Sequence, residues 1–361
     1  MAMTEKYNLK GEEKVLFRLR SLYSSFGYKT YKMSRFEEYD LYARNKDFLV
    51  SSNIITFTDT DGKLMALKPD VTLSIVRSVK DQNNSVSRIC YGENVYRVSS
   101  SSGTFREIMQ AGLECIGDVG LLELCEVASL AQMSLVSISK NSILTISHIG
   151  IVESLLNQIP DILAPIVAKA LSARNVSALG ALADNNPYYS EPLSKIAKLA
   201  MISGSTDEVL SQLSDMYVDE KSLSELRTIA KTLDPKRMRI DFSILDGMKY
   251  YNGIVFRGYV QGVPSAVISG GQYDKLMRRM KKRSRAIGFA VYLDSLERLL
   301  EDVPDYDVDT VLKYSDGDDI NAVLKKAQEI RNSGKSVVTL KEPDMNLRYR
   351  ELVDMGGKDN A

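Results

Sequence analysis

Tryptophan is absent from this 361-residue chain, and histidine occurs once, at His148. A single histidine argues against a His-based zinc site and against a Ser–His triad. At the end of the run TISHIG it reads as a satisfied structural side chain. Cysteine is scarce: Cys90, Cys115 and Cys125 are an odd number and make no CxxC spacing. That pattern fits reduced, buried thiols and excludes a secreted disulfide framework. No run approaches the ~18 consecutive apolar residues of a membrane span, and MAMTEKYNLKGEEK lacks the apolar stretch of a secretory leader. A cytoplasmic location with no membrane association is therefore expected, and no cofactor or metal site. Charge of one sign is also missing. Lys plus Arg and Asp plus Glu each number 47, so no global field draws in nucleic acid.

What is present is the composition of a globular protein, 44% hydrophobic and 26% charged. The length allows one large core with one or two smaller domains. Apolar residues at helical spacing predict a helix over residues 12–26, stopped by Gly27. Extended segments are expected at 30–36, 48–59 and 64–67. A short helix over 70–78 follows, with Asp70 near its cap. Residues 88–96 and 108–116 read as two antiparallel strands joined by a serine-rich loop. A strong helix (121–137) and a strand (143–149) come next. From 152 to 237 strand signals vanish and Ala, Leu, Ser and Lys recur at helical spacing. Strands return at 239–245, 254–259 and 265–269, with a last core helix over 292–300. After a linker at 303–309 the chain reads strand, helix, strand, then a polar, loose tail over 342–361. The expected fold class is α+β. Its domains are a core first part (1–151), a helical insertion (152–237), a core second part (238–302), and a linker with a small α/β segment (303–361).

Three segments point to chemistry: FREIMQAGLE (105–114), ILDGMKYYNGIVF (244–256) and ISGGQYDKL (268–276). Together they resemble the histidine-recognition segments of class II histidyl-tRNA synthetases, and the likeness spans roughly residues 12–301. It implies the class II synthetase core, an antiparallel sheet packed by helices. It also implies a homodimer, because the first class II motif would fall on 27–37. ALKPDVT (66–72), RICYGENVYR (88–97) and GFAVYLD (288–294) resemble one branch of that family, the regulatory subunits of ATP phosphoribosyltransferase.

By this resemblance, Asp70, Thr72 and Gln110 would hold the ammonium group of a histidine ligand. Glu114 and Tyr251 would hold its imidazole, with Tyr250 and Tyr273 in the same pocket. Gly270 and Gly271 would let the backbone come close, Arg106 would be the best remaining cation for the carboxylate, and Arg97 a residual phosphate contact. The departures lie on the catalytic side. The family has arginine where this chain has Asp246, and a second arginine falls on Ser295. Each charge-assisted bond to a developing negative charge is worth roughly 1.5–3 kcal/mol. Losing two costs on the order of 10²- to 10⁴-fold in rate.

Blander readings stand beside these. Gly270–Gly271 alone reads as a strand-end bulge, Tyr250–Tyr251 as a strand pair with one ring buried, and the cluster RRMKKRSR (278–285) as a solvated loop. The resemblance implies a non-catalytic regulatory subunit acting in the first step of histidine biosynthesis. Its partner would be a short-form ATP phosphoribosyltransferase catalytic subunit, with free histidine as a feedback ligand and tRNA not expected. The alternatives are a divergent histidyl-tRNA synthetase and a free-standing histidine sensor. The C-terminal piece resembles the start of the synthetase anticodon-binding domain, cut short.

Overall fold

A computed structural model describes residues 10–46, 49, 53–81, 85–99, 102–245, 247–248, 250–300, 305–343 and 345–356. Asp246 lies outside the described residues, as do the side chains of Glu297 and Arg298. The chain divides into two compact units, Met1–Leu300 and Glu301–Ala361.

The first unit is built on an eight-stranded sheet in the order β1-β5-β6-β11-β10-β9-β7-β8. These are β1 (Lys29–Thr30), β5 (Val86–Val98), β6 (Phe105–Gly117), β7 (Ser142–His148), β8 (Met238–Ile240), β9 (Ile254–Val260), β10 (Ile268–Gln272) and β11 (Arg285–Tyr292). The interior pairings are antiparallel, and the pairs at both edges, β1–β5 and β7–β8, are parallel. A small antiparallel sheet of β2 (Phe36–Glu38), β4 (Leu64–Leu67) and β3 (Thr56–Thr58) stands beside it.

One face of the large sheet is covered by α1 (Gly11–Ser25) and α4 (Leu121–Ile138). α4 is long and apolar enough to cross a membrane by length and composition, yet half of it is buried. Leu124, Val127, Leu130, Ala131 and Leu135 enter the main core, and apolar side chains on that much of its surface are what a central core helix requires. After the short α2 (Tyr39–Ala43), α3 (Val71–Ser78) starts at Asp70, whose carboxylate accepts the Leu73 N–H at 2.9 Å. The stretch without strand signals forms six helices: α5 (Ile149–Leu156), α6 (Ala164–Ser172), α7 (Val176–Asn185), α8 (Ser190–Met201), α9 (Thr206–Asp215) and α10 (Glu220–Lys231). Their buried leucines and isoleucines join the same core as the sheet.

The second unit is a parallel three-stranded sheet, β13 (Val337–Leu340), β12 (Val308–Lys313) and β14 (Tyr349–Asp354), packed by α13 (Ile320–Asn332).

Several expectations need correction. The tail, expected to be loose, holds a strand over Tyr349–Asp354: β14 pairs with β12 over Val308–Lys313. The helix expected over 292–300 begins later, because β11 runs to Tyr292; a 3₁₀ turn at Asp294–Leu296 and the one-turn α12 (Glu297–Leu300) follow it. β11 is apolar without alternation because α4 covers one of its faces and the other forms a cavity wall. The strand expected over 265–269 is displaced to Ile268–Gln272. The one expected over 239–245 shrinks to Met238–Ile240; of the one expected over 48–59, residues 48 and 50–52 lie outside the described residues, and the described strand is Thr56–Thr58.

Cys90, Cys115 and Cys125 are free and buried. Burial pushes all three thiols up, Cys115 to about 12. Only the thiolate attacks alkylating agents, so iodoacetamide at pH 7.5 should leave the native chain unlabelled and modify all three in guanidinium. Mass spectrometry reads the outcome.

Candidate functional site

A cavity of about 950 Å³ opens on the sheet face opposite α4, within the size range of small-molecule sites. Strand register explains its wall. Tyr91, Gly112, Ala290, Ser269 and Arg257 fall in one row across β5, β6, β11, β10 and β9. Two residues along the strands, on the same face, Glu114 pairs with Gly288 on β11; two residues the other way, Gln110 pairs with Tyr292. The remaining wall comes from Asp70, Val71 and Thr72 at the start of α3, from Leu245, Gly247, Met248, Tyr250 and Tyr251, from Tyr273 ahead of α11 (Asp274–Arg279), and from Lys169 and its neighbours on α6.

Glu114 is the electrostatic centre. It is 1% exposed, accepts the Thr72 hydroxyl at 2.7 Å on Oε1 and accepts the Tyr273 hydroxyl at 2.6 Å on Oε2. Burial pushes its carboxyl up to about 8, the two donors only partly offsetting the desolvation, and Asp70 nearby adds to the rise. Asp70 is raised by burial too, against the pull of the Leu73 N–H and the Arg97 charge. The phenols of Tyr91, Tyr250, Tyr251, Tyr273 and Tyr292 are all raised by burial, so they remain neutral hydrogen-bonding groups. Tyr250 packs edge-on against Tyr251, with ring centroids 4.8 Å apart.

The loops that aim these rings are tied down. Gly247 sits at φ +89°, a left-handed position suited to glycine, and its carbonyl accepts the Tyr250 and Tyr251 N–H groups. Asp274 accepts bonds from Gln272, Asn252, Arg285 and the Ala286 N–H, which fixes the turn that carries Tyr273. Two side chains of the basic cluster are likewise held locally: Arg285 donates to the Val119 carbonyl at 2.7 Å and Lys282 to that of Val79, while Asp81 accepts from the Arg283 N–H and the Ser284 hydroxyl. His148 is buried and contacts Glu225 at 3.3 Å on Nε2, but its Nδ1 has no hydrogen-bond partner, so the ring is not the fully satisfied one expected from sequence.

Asp70, Thr72, Arg97, Gln110, Glu114, Tyr250, Tyr251 and Tyr273 all line this cavity. Three expected residues do not. Arg106 lies near the far end of β6, beyond Gln110, and faces Asp294 at 3.6 Å. A Cβ on Gly270 would run into Phe289, the Gly288 carbonyl and Phe256, so its bareness serves packing between strands. At Gly271 a Cβ would meet the Tyr251 ring at 2.9 Å and the Ile254 carbonyl at 2.7 Å. Sequence reasoning missed Tyr91, Arg257, Ser269, Gly288, Tyr292 and Lys169. For Arg257 a signal existed: in IVFRGYV it is the lone charge, one residue out of phase with the core residue Phe256.

A family model of histidyl-tRNA synthetase matches residues 6–296. The chain belongs to the histidyl-tRNA synthetase family. Within that family it groups with the regulatory subunits of ATP phosphoribosyltransferase. The one from Moorella thermoacetica is 30% identical over 89% of this chain and 86% of that protein. Two solved structures share the class II fold. An ATP phosphoribosyltransferase regulatory subunit/histidyl-tRNA synthetase from Bacillus halodurans superposes with TM-score 0.79 at 21% identity, covering 95% of this chain and 93% of that one. A chain of the ATP phosphoribosyl transferase (HisG:HisZ) complex from Thermotoga maritima gives TM-score 0.63 at 21% identity, covering 78% and 97%.

Proposed function

We propose that this chain is the regulatory subunit of an ATP phosphoribosyltransferase and carries no catalysis of its own. It assembles in the cytoplasm with a separate catalytic subunit in the first step of histidine biosynthesis. Free histidine, taken into the cavity, shifts the conformation of the assembly. The role is a coupling between two binding events, and the chemistry stays with the partner. The Moorella relative is named for this role, and the Thermotoga maritima structure is of a complex of two components.

Gln110 carries the ligand half of the reading. Its side chain is 3% exposed, and its Nε2 has no hydrogen-bond partner. An orphaned buried donor costs about 1–3 kcal/mol, and a ligand acceptor in the cavity removes that cost. A donor calls for a carboxylate oxygen, so Gln110 belongs with the acid end of the amino acid rather than with its ammonium group. Asp70 then suits the ammonium, and Glu114 with its tyrosine shell suits the imidazole.

The absence of catalysis is supported by Ser295, which lies in the turn after β11 and has no charge to offer a phosphate. Self-association belongs to the same proposal. It is supported by the exposed pair Phe36–Phe57 on the small sheet, with ring centroids 5.5 Å apart, next to the 27–37 segment.

One experiment tests these statements together. Phosphoribosyl-ATP formation by the catalytic subunit is followed with and without this chain, then with histidine, and the species are sized by light scattering. Co-elution, stimulation by the chain and suppression by histidine are expected, with two copies of this chain in its isolated form. Histidine-dependent ATP–pyrophosphate exchange, with no effect on the transferase, would instead make the chain a synthetase.

A further inference from the structure

Part of the aromatic wall of the cavity is carried by a turn that is closed on itself. The Met248 N–H bonds to the Leu245 carbonyl, and those of Tyr250 and Tyr251 bond to the Gly247 carbonyl. A side chain from outside ties this turn to the fold. Lys275, on α11, donates through Nζ to the Met248 carbonyl at 2.9 Å and to the Glu153 carboxylate at 2.5 Å. Glu153 belongs to α5, the first of the six helices between β7 and β8. The Lys275 backbone is held as well, its N–H bonding to the Asn252 side chain at 3.3 Å.

The place of Lys275 along the chain gives this contact its meaning. Tyr273, two residues earlier, donates its phenol to Glu114 and packs against Tyr250 with ring centroids 5.6 Å apart. Asp274, between them, is buried and anchored to β11 by the Ala286 N–H. Residues 273–275 therefore grip the cavity twice, Tyr273 by its carboxylate and Lys275 by the loop that bears two of its rings. As an ion pair, Lys275–Glu153 explains little. Both side chains are about a third exposed, and pairs of that kind add little to stability. An ammonium, however, carries three donors on one compact head, so a single lysine can pin a carbonyl and a carboxylate at once.

We infer that Lys275 is a positioning residue for the ligand: it presets the Tyr250–Tyr251 loop in the position that receives it. This rests on the histidine reading of the cavity. Rings already in place cost the ligand nothing, whereas rings that it must freeze itself subtract from its affinity.

The test combines calorimetric titration with histidine and amide hydrogen exchange over residues 244–256, both on the full chain. In Lys275→Met, histidine affinity should fall about 10- to 100-fold, the penalty for freezing two loose rings. Exchange in the loop of the unliganded protein should quicken, while the melting temperature stays within about 2 °C of wild type. Lys275→Arg keeps a cation able to reach both acceptors and should restore part of the affinity and the protection. In Glu153→Gln the ammonium retains an oxygen acceptor and its bond to Met248, so both readouts should stay near wild type. Wild-type affinity and exchange in Lys275→Met overturn the assignment and leave the cavity reading standing. Equal losses in Glu153→Gln overturn it too, since the ion pair and not the grip on the loop would then shape the site. Faster exchange across the whole chain, with a larger drop in melting temperature, makes Lys275 a general structural residue and also overturns it. Failure of wild type to bind histidine brings down the cavity reading, and the assignment of Lys275 as a ligand-positioning residue falls with it.

Discussion

Replacing Gly288 with alanine should lower the melting temperature by about 3–5 °C, the equivalent of about 2–3 kcal/mol in a unit of this size. Gly288 is on β11, directly opposite Glu114 on β6. A Cβ there would collide with the Glu114 carboxylate and stand 2.5 Å from the Leu113 carbonyl. Neither neighbour can yield at small cost. Glu114 is held by Thr72 and Tyr273, and the Leu113 carbonyl belongs to the backbone of a strand paired on both sides. Histidine binding should disappear along with the stability, since Glu114 must swing away from the cavity. The double variant Gly288→Ala/Glu114→Ala removes one of the two collisions and should recover part of the melting temperature but none of the binding. Thermal unfolding followed by circular dichroism checks both, and a Gly288→Ala protein as stable as wild type would falsify the crowding argument.

The second large effect is a dependence on pH. The Glu114 carboxyl titrates at about 8 in the fold against an ordinary 4.5. Between those values the native chain holds a proton that the unfolded chain has released. This contribution to stability is therefore complete below about pH 4.5 and is lost as pH rises through about 8. The rise corresponds to at most about 5 kcal/mol. Asp70, also raised by burial, acts in the same direction. Urea unfolding of the ligand-free chain between pH 5 and 8.5 should show stability falling with pH, and Glu114→Gln should flatten the slope. A ligand imidazole beside Glu114 shares one proton with it, so stabilisation by histidine should be greatest between the ordinary imidazole pKa near 6.5 and about pH 8 and fall on either side. A wild-type slope that survives unchanged in Glu114→Gln would assign it to other groups.

Much of this site was legible because it sits in short ordered segments. Asp70 and Thr72 share a helix start, Gln110 and Glu114 share one strand face, and Tyr250, Tyr251 and Tyr273 flank β9 and β10. What was not legible depends on register. Tyr91, Ser269, Arg257 and Tyr292 lie on four different strands, and only the pairing brings them to one wall. Arg106 was misplaced for a related reason. It shares the parity of Gln110, but four residues along a strand is about 13 Å, which carries it past the cavity. Lys169 depends on how the helical insertion packs, and local spacing does not encode that. In the fold, β11 was hidden because a strand with a helix on one face and a cavity on the other is apolar on both and does not alternate. β14 was hidden for the opposite reason: Tyr349, Glu351 and Val353 face inward by turns, but among charged neighbours the alternation reads as tail.

The place of β11 in the large sheet has a consequence for how the chain matures on the ribosome. It is the last of the eight strands to be synthesised, yet it lies between β6 and β10 in the finished order. Until it emerges, the nascent chain can form only two separate half-sheets, β1-β5-β6 and β10-β9-β7-β8, each with a bare edge. Bare edges are where chains pair wrongly with one another, so this is the interval when a chaperone has most to protect. The cavity does not exist in that interval, because Gln110 and Glu114 belong to one half and Arg257 and Ser269 to the other. A ligand can therefore recognise only a chain whose final strand has already closed the seam, which makes occupancy of the cavity a report on completed folding.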